Sequence, residues 1–247
     1  MAVVAFPTSR FLQSICNVLL EAVMDLSQPK ISANELGNFV FSTDAAKRRI
    51  LQGQKFPKPL VVNRYNPVSN AILRCLKGNS FPEDDLNAEL EKLKKLVVSN
   101  PRQASARDSN IRMLKRFIPL AEKAAPPDGD HSIIRQSGKF DFEGVQISVR
   151  PDILTRNANE KFFTYSKMRF SNRKFSADAS EIVLLLIQKF AESQDMEGLG
   201  FDSSRARLID CGSQQIFEAY YVSPYKGKLL MQALKEITSL WPFISEN

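Results

Sequence analysis

The chain has 247 residues, 43% of them hydrophobic, with 34 Lys or Arg against 27 Asp or Glu and a net charge of +7. That is enough apolar material for one large buried core or two modest ones, as in an ordinary soluble globular protein. Cys16, Cys75 and Cys211 are odd in number and far apart, which excludes a disulfide framework and a paired-cysteine zinc site; the single histidine, His131, excludes a multi-histidine metal centre. His131 is also the one base available to a Ser-His or Cys-His pair, but it follows the turn-rich "APPDGD" and reads as a surface residue. No run approaches the roughly eighteen uncharged apolar residues of a membrane span, and the opening residues lack the pattern of a secretory signal, so a cytoplasmic location and no membrane partner are expected.

In chain order, "SRFLQSICNVLLEAVMDL" repeats apolar residues at three- and four-residue spacing and predicts a helix with one buried stripe. "STDAAKRRILQ" predicts a short basic helix behind Ser42, Thr43 and Asp44 as cap candidates. "NPVSNAILRCLKGN" predicts a helix opened by Asn66-Pro67 and stopped at Gly78. "FPEDDLNAELEKLKKLVVSNP" carries acids in its first turn and lysines later, in the sense of the helix dipole. The polar, proline-containing segment 99–110 reads as a linker, dividing a basic helical region over 1–100 from a mixed α/β domain over 101–247.

Beyond it, "ARDSNIRMLKRFIPLAEKA" predicts a helix kinked at Pro119, and "PPDGD" breaks the chain. "KFDFEGVQISVRPDIL" reads as two strands joined at Glu143-Gly144, and "KFFTYSKMRF" as a third. "DASEIVLLLIQKFAES" is apolar nearly all round and predicts a helix covered on several sides, with Asp178 and Glu181 fitting a capping box. "RARLIDC" and "QQIFEAYYV" are strands across a Gly212-Ser213 turn, and "GKLLMQALKEITSLW" is a closing helix. The fold class is therefore α/β in the α+β sense, with helices packed on a mixed sheet.

Charge is concentrated. Between Lys30 and Lys77 stand Lys30, Lys47, Arg48, Arg49, Lys55, Lys58, Arg64, Arg74 and Lys77 against Glu35 and Asp44. Such a patch suits an anionic partner, with nucleic-acid phosphate the commonest for a basic soluble domain, although a solvated face with no partner carries the same composition. Lys47, Arg48, Arg49, Lys55, Lys58 and Arg64 are the candidate phosphate contacts. No glycine-rich nucleotide loop is present: "GLGF" at 198–201 lacks the strand before it and the Lys-Ser/Thr after it.

On the "GVQISVRPDILTR" strand, period-two alternation places Val145, Ile147, Val149, Pro151 and Ile153 on one face and Gln146, Ser148, Arg150 and Asp152 on the other. Asp152 is thus expected off the apolar face, where it can share a cleft with Lys167 of the next strand. A carboxylate that holds Mg²⁺ against a phosphate, beside a lysine that offsets developing charge, is what phosphodiester cleavage needs. The bland readings are a turn signal for Pro-Asp, a solvated edge lysine for Lys167 and a helix cap for Glu181.

With "RPD" on the second strand and a lysine on the third, the order helix, three strands, helix, strand over residues 107–211 resembles the PD-(D/E)XK nuclease-like superfamily. That resemblance implies metal binding by Asp152 and by an acid two residues before Lys167. The second position is Tyr165, so the signature is broken there. Some members are similar in carrying the missing carboxylate on the following helix, which implies Glu181 as a metal ligand, with Glu143 and Glu160 behind it, and Mg²⁺ or Mn²⁺ as the cofactor of an active site made by Asp152, Lys167 and Glu181. Other members only bind or scaffold. The expected function is nucleic-acid handling, DNA and RNA undistinguished, by a weak metal-dependent nuclease or a degenerate derivative; the alternative is a non-catalytic interaction protein.

Overall fold

A computed structural model describes residues 26–57, 65–78, 83–173, 175–219 and 223–246. The helix expected over 9–26, except its last residue, lies outside the described residues, as do Cys16, Lys58, Arg64, Tyr220 and Tyr221. In chain order the elements are β1 (Lys30–Ser32), α1 (Ala33–Val40), α2 (Asp44–Lys55), α3 (Asn66–Lys77), α4 (Glu83–Lys95), α5 (Pro101–Phe117), a 3-10 turn (Ile118–Leu120) and α6 (Ala121–Ala124). They continue with β2 (Asp130–Ile133), β3 (Gly138–Phe142), β4 (Val145–Val149), β5 (Ile153–Asn157), β6 (Phe162–Arg169), α7 (Ala177–Glu192), β7 (Gly200–Phe201), β8 (Arg207–Asp210), β9 (Gln215–Glu218) and α8 (Pro224–Leu240). The fold is mixed α/β. Among the described residues no helix is long and apolar enough to cross a membrane.

The single strand expected over 144–156 is two strands in two different sheets. β4 lies between β1 and β3 in a three-stranded sheet, whereas β5 belongs to a second sheet of order β2-β5-β6-β8-β9, with β7 added to the start of β6. The chain changes sheets at Arg150-Pro151-Asp152. Pro151 has no N–H to extend the first ladder, and at Asp152 the second ladder begins, its N–H donating to Ser166 O at 2.9 Å. The β3–β4 hairpin turns where expected, with Glu143 and Gly144 both at positive φ (52° and 76°), the backbone of a two-residue hairpin loop.

The second sheet is covered on both faces. Leu154, Phe163, Tyr165 and Leu208 face a core shared with α1, α2, α7 and α8, while Ile153, Met168 and Ile209 face a core shared with α3, α4, α5 and α6. Both cores cross residue 100. The division into 1–100 and 101–247 therefore does not follow the packing: Ile31, Leu36, Phe39 and Leu51 are buried with residues 145–244, and Val68, Ile72 and Leu86 with Met113 and Phe117. The presumed linker is the first half of α5. Asn100 caps it, its side chain accepting from Gln103 N–H, and Pro101 stands in the first turn, where its missing N–H costs nothing. A polar segment with proline carries the same residues as a helix start, which is why the two are confused.

Helix α7 is buried on most sides as its composition requires, but its cap is Ser176, which accepts from Ala179 N–H, and not Asp178 with Glu181. It packs on α1 at close range: a Cβ on Gly37 would lie 2.7 Å from Ala179 O, so glycine sets that helix spacing.

Candidate functional site

The kink at Pro151 opens a cleft of about 410 Å³ between the two sheets and α1. Asp152 from the sheet crossover and Lys167 from β6 both line it, so the structure brings together the two residues that the sequence paired. Their setting differs from the expectation. Asp152 is only 2% exposed, and its Oδ2 accepts the Met168 N–H at 2.7 Å, with Arg150 Nη2 lying 3.7 Å from Oδ1. Lys167 is 7% exposed and donates to Arg150 O at 2.8 Å. Burial pushes the Asp152 carboxyl above the usual carboxylate range, opposed by Lys167, the Met168 N–H and Arg150. Burial likewise pulls Lys167 below the ordinary lysine value, opposed by Asp152 and reinforced by Arg150.

Three cations converge on this wall. Besides Lys167, the cleft is lined by Arg150, whose side chain is 52% exposed, and by Arg169. Arg169 is rigidly held: its Nη1 donates to Asp210 Oδ2 at 3.0 Å and to Arg173 O at 2.7 Å, and its guanidinium lies 4.6 Å from the centre of the Phe175 ring. Asp210, fully buried on β8, also accepts from Gly212 N–H and Ser213 Oγ–H. A Cβ on Gly212 would fall 1.7 Å from Ser171 O, so only glycine lets the β8–β9 turn close against this wall. The guanidinium is thus fixed before any ligand arrives, which reduces the ordering cost of binding an anion.

The remaining sequence candidates lie elsewhere. Glu181 does not line the cleft: its Oε2 accepts from Ser223 N–H at 3.2 Å and its Oε1 is 3.9 Å from Lys226. Glu143 occupies the β3–β4 turn, and Glu160 pairs with Arg205 at 2.7 Å. Tyr165 is 2% exposed within a cluster of Phe163, Phe190 and Phe201, so the broken signature position faces the core and not the cleft. Glu35 of α1, half-buried, is the cleft carboxylate that the sequence reading overlooked. Its signal was present: Ser32-x-x-Glu35 has capping-box spacing, and Ser32 Oγ accepts the Glu35 N–H.

Of the basic patch, Lys47 and Lys55 are occupied within the fold and are not free phosphate contacts. Lys47 pairs with Glu236 at 2.6 Å, and Lys55 donates to Trp241 O and Ile244 O at 2.8 and 3.0 Å, so both tie α2 to the end of the chain. Arg48 and Arg49 are exposed.

These residues do not fit a resident Mg²⁺ or Mn²⁺ ion. Asp152 has one oxygen engaged and a guanidinium beside the other, and Glu35 is the second carboxylate of a lining that holds three cations. Asn34 Oδ1 is a buried oxygen with no partner among the described residues, but one neutral amide does not offset that charge. Among the described residues no three His, Cys, Asp or Glu side chains are grouped to hold a metal. A hard dication requires an excess of oxygen ligands, and this wall offers it two carboxylates, one of them already engaged by the Met168 N–H. No protein-family model and no curated protein matches the chain.

Proposed function

We propose that the chain is a nuclease-like domain that binds the nucleic-acid phosphate backbone in this cleft and does not cut it. The observation that carries the reading is the convergence of Arg150, Lys167 and Arg169 on one wall, where Asp152 and Glu35 also stand and Asp210 backs Arg169, with the Arg150 side chain open to solvent. A guanidinium fork matches two phosphate oxygens; Arg150 presents the exposed one, and Arg169 stands beside it, held by Asp210 and Phe175. Exposed Arg135, on the adjoining cavity that Arg150 also lines, extends the positive surface beyond the cleft. The buried thiols of Cys75 and Cys211 suit a reducing compartment, consistent with work on nucleic acid in the cytoplasm.

Fluorescence anisotropy with labelled single-stranded and duplex oligonucleotides, between roughly 50 and 200 mM salt, tests it. Binding is expected to weaken as salt rises, with a log–log slope near −0.7 to −0.9 for each phosphate contacted. Arg135→Ala with Arg150→Ala, both at exposed side chains, is expected to lower affinity at least about tenfold and to reduce the slope by about two contacts' worth. Absence of binding at low salt, or a double variant as tight as the parent, overturns the reading in favour of a protein-interaction module. Mn²⁺-dependent cleavage that Asp152→Ala abolishes overturns the non-cutting part alone.

A further inference from the structure

A second cavity of about 320 Å³ adjoins the cleft, and Arg150, Asp152 and Phe170 line both. Its lining keeps charge, with Arg74, Arg135, Arg150 and Asp152, and adds apolar side chains that the cleft lacks. Leu73 of α3, Ile134 and Phe170 form apolar walls, while Asn66 and Asn70 stand exposed on the rim. The walls are held in place, since Leu73 is 7% exposed and Phe170 packs against the core on that side of the sheet. Asn66 and Asn70 are four residues apart on α3, so their side chains lie on one helix face. The volume falls at the lower end of the roughly 300–1,000 Å³ of small-ligand sites, which suits one planar heteroaromatic group and not a chain of them.

We propose that this cavity is a nucleobase subsite that takes one unpaired base, its own phosphate lying against Arg150 in the cleft. The inference rests on the phosphate-binding reading above. The chemistry matches on each side of the base. An aromatic ring and aliphatic side chains accept the flat apolar faces of any base, so stacking on Phe170 is tolerant of sequence. Side-chain amides both donate and accept, which is what the edge of a base presents. Arg150, shared by the two cavities, stands where base and phosphate of one nucleotide would meet. A base stacked and paired inside a duplex cannot enter such a space without leaving its partner. The subsite therefore selects single strands, strand ends or extruded nucleotides over intact duplex.

The test compares three ligands by anisotropy on the full chain: a short single strand, the same strand with every base removed, and its duplex. The base-bearing strand is expected to bind about tenfold more tightly than the abasic strand, the size of one stacking contact, and more tightly than the duplex. Phe170→Ala is expected to bring that ratio near one while leaving the salt slope unchanged. Asn66→Ala with Asn70→Ala, at exposed positions that do not disturb the core, is expected to lower the ratio by a smaller factor and to alter which base is preferred. Equal affinity for base-bearing and abasic strands overturns the subsite and leaves phosphate binding standing. Failure of the parent protein to bind any of the three overturns the phosphate reading, and the subsite with it.

Discussion

Helix α2 carries Lys47, Arg48, Arg49 and Lys55 within twelve residues, whereas the cleft collects Arg150, Lys167 and Arg169 from β6 and the crossover that precedes β5. The two regions have comparable charge and use it differently. In α2, Lys47 and Lys55 face inward to a carboxylate and to carbonyls at the end of the chain, where they anchor the helix to α8 and the turn after it. In the cleft, a buried aspartate holds one guanidinium in place, a second lies largely in solvent, and a lysine sits behind them. Density of charge along a sequence therefore identifies a basic segment, while the capacity to bind an anion depends on which of those side chains the fold leaves facing open space: that of Arg150 is 52% exposed at the cleft, that of Lys47 16% exposed and turned to Glu236.

The largest effect expected on the cleft side comes from restoring the nuclease signature. Tyr165→Glu places a carboxylate among Phe163, Phe190 and Phe201, where burial already pushes the tyrosine hydroxyl above its ordinary value and only Arg156 opposes it. Burying a charge in such an apolar setting costs several kcal/mol against a total stability of about 5–15 kcal/mol. A chemical denaturation curve should show a loss of several kcal/mol or no folded baseline. A well-folded variant that gains metal binding would place this residue in the cleft and reverse the assignment.

On the helix side, the expectation is a stability effect without a binding effect. Lys55→Met removes the donor from two carbonyls and should cost about 1–3 kcal/mol, and Lys47→Met should cost about 1 kcal/mol, because its ion pair is partly open to solvent. Neither should change the salt slope of nucleic-acid binding. If either lowers affinity as much as the Arg135 and Arg150 double change while leaving the melting midpoint alone, α2 and not the cleft is the phosphate surface.

The smallest effect is a pH slope. Asp152 in the folded chain ionises above its unfolded value near 3.9, chiefly because it is buried. Between those two values the folded state binds more protons than the unfolded state, so the stability that Asp152 contributes is fully present below the unfolded value. It is lost as pH rises through the folded one. Asp152→Asn keeps an acceptor for the Met168 N–H and removes the titration. The denaturation midpoint of the parent should therefore fall relative to the variant as pH increases from about 4 toward neutrality. Parallel midpoints over that range would mean that the carboxyl is not desolvated in solution.

Much of the local structure was legible from residue order because its causes act over a few residues. Asn66-Pro67 opens α3 and Gly78 closes it, Glu143-Gly144 adopts the turn its types favour, and the unbroken apolar face of α7 finds cover on several sides. The pairing of Asp152 with Lys167 was legible for the same reason, since β5 and β6 are joined by a short turn and sequence alternation carries across it. What alternation along one strand did not contain was the change of sheet at Pro151, because a ladder partner such as Ser166 lies fourteen residues away. It also did not contain β1, whose partner β4 is more than a hundred residues distant, or Glu35, which reaches the cleft only because α1 follows that strand. Nor could it tell that Asp210 fixes Arg169 across forty-one residues, or that Lys47 meets Glu236 across 189. Propensity, capping and turn chemistry are properties of neighbouring residues. Burial and charge pairing belong to contacts that exist only once distant segments have packed, and at this cleft those contacts decide which charges are free to bind.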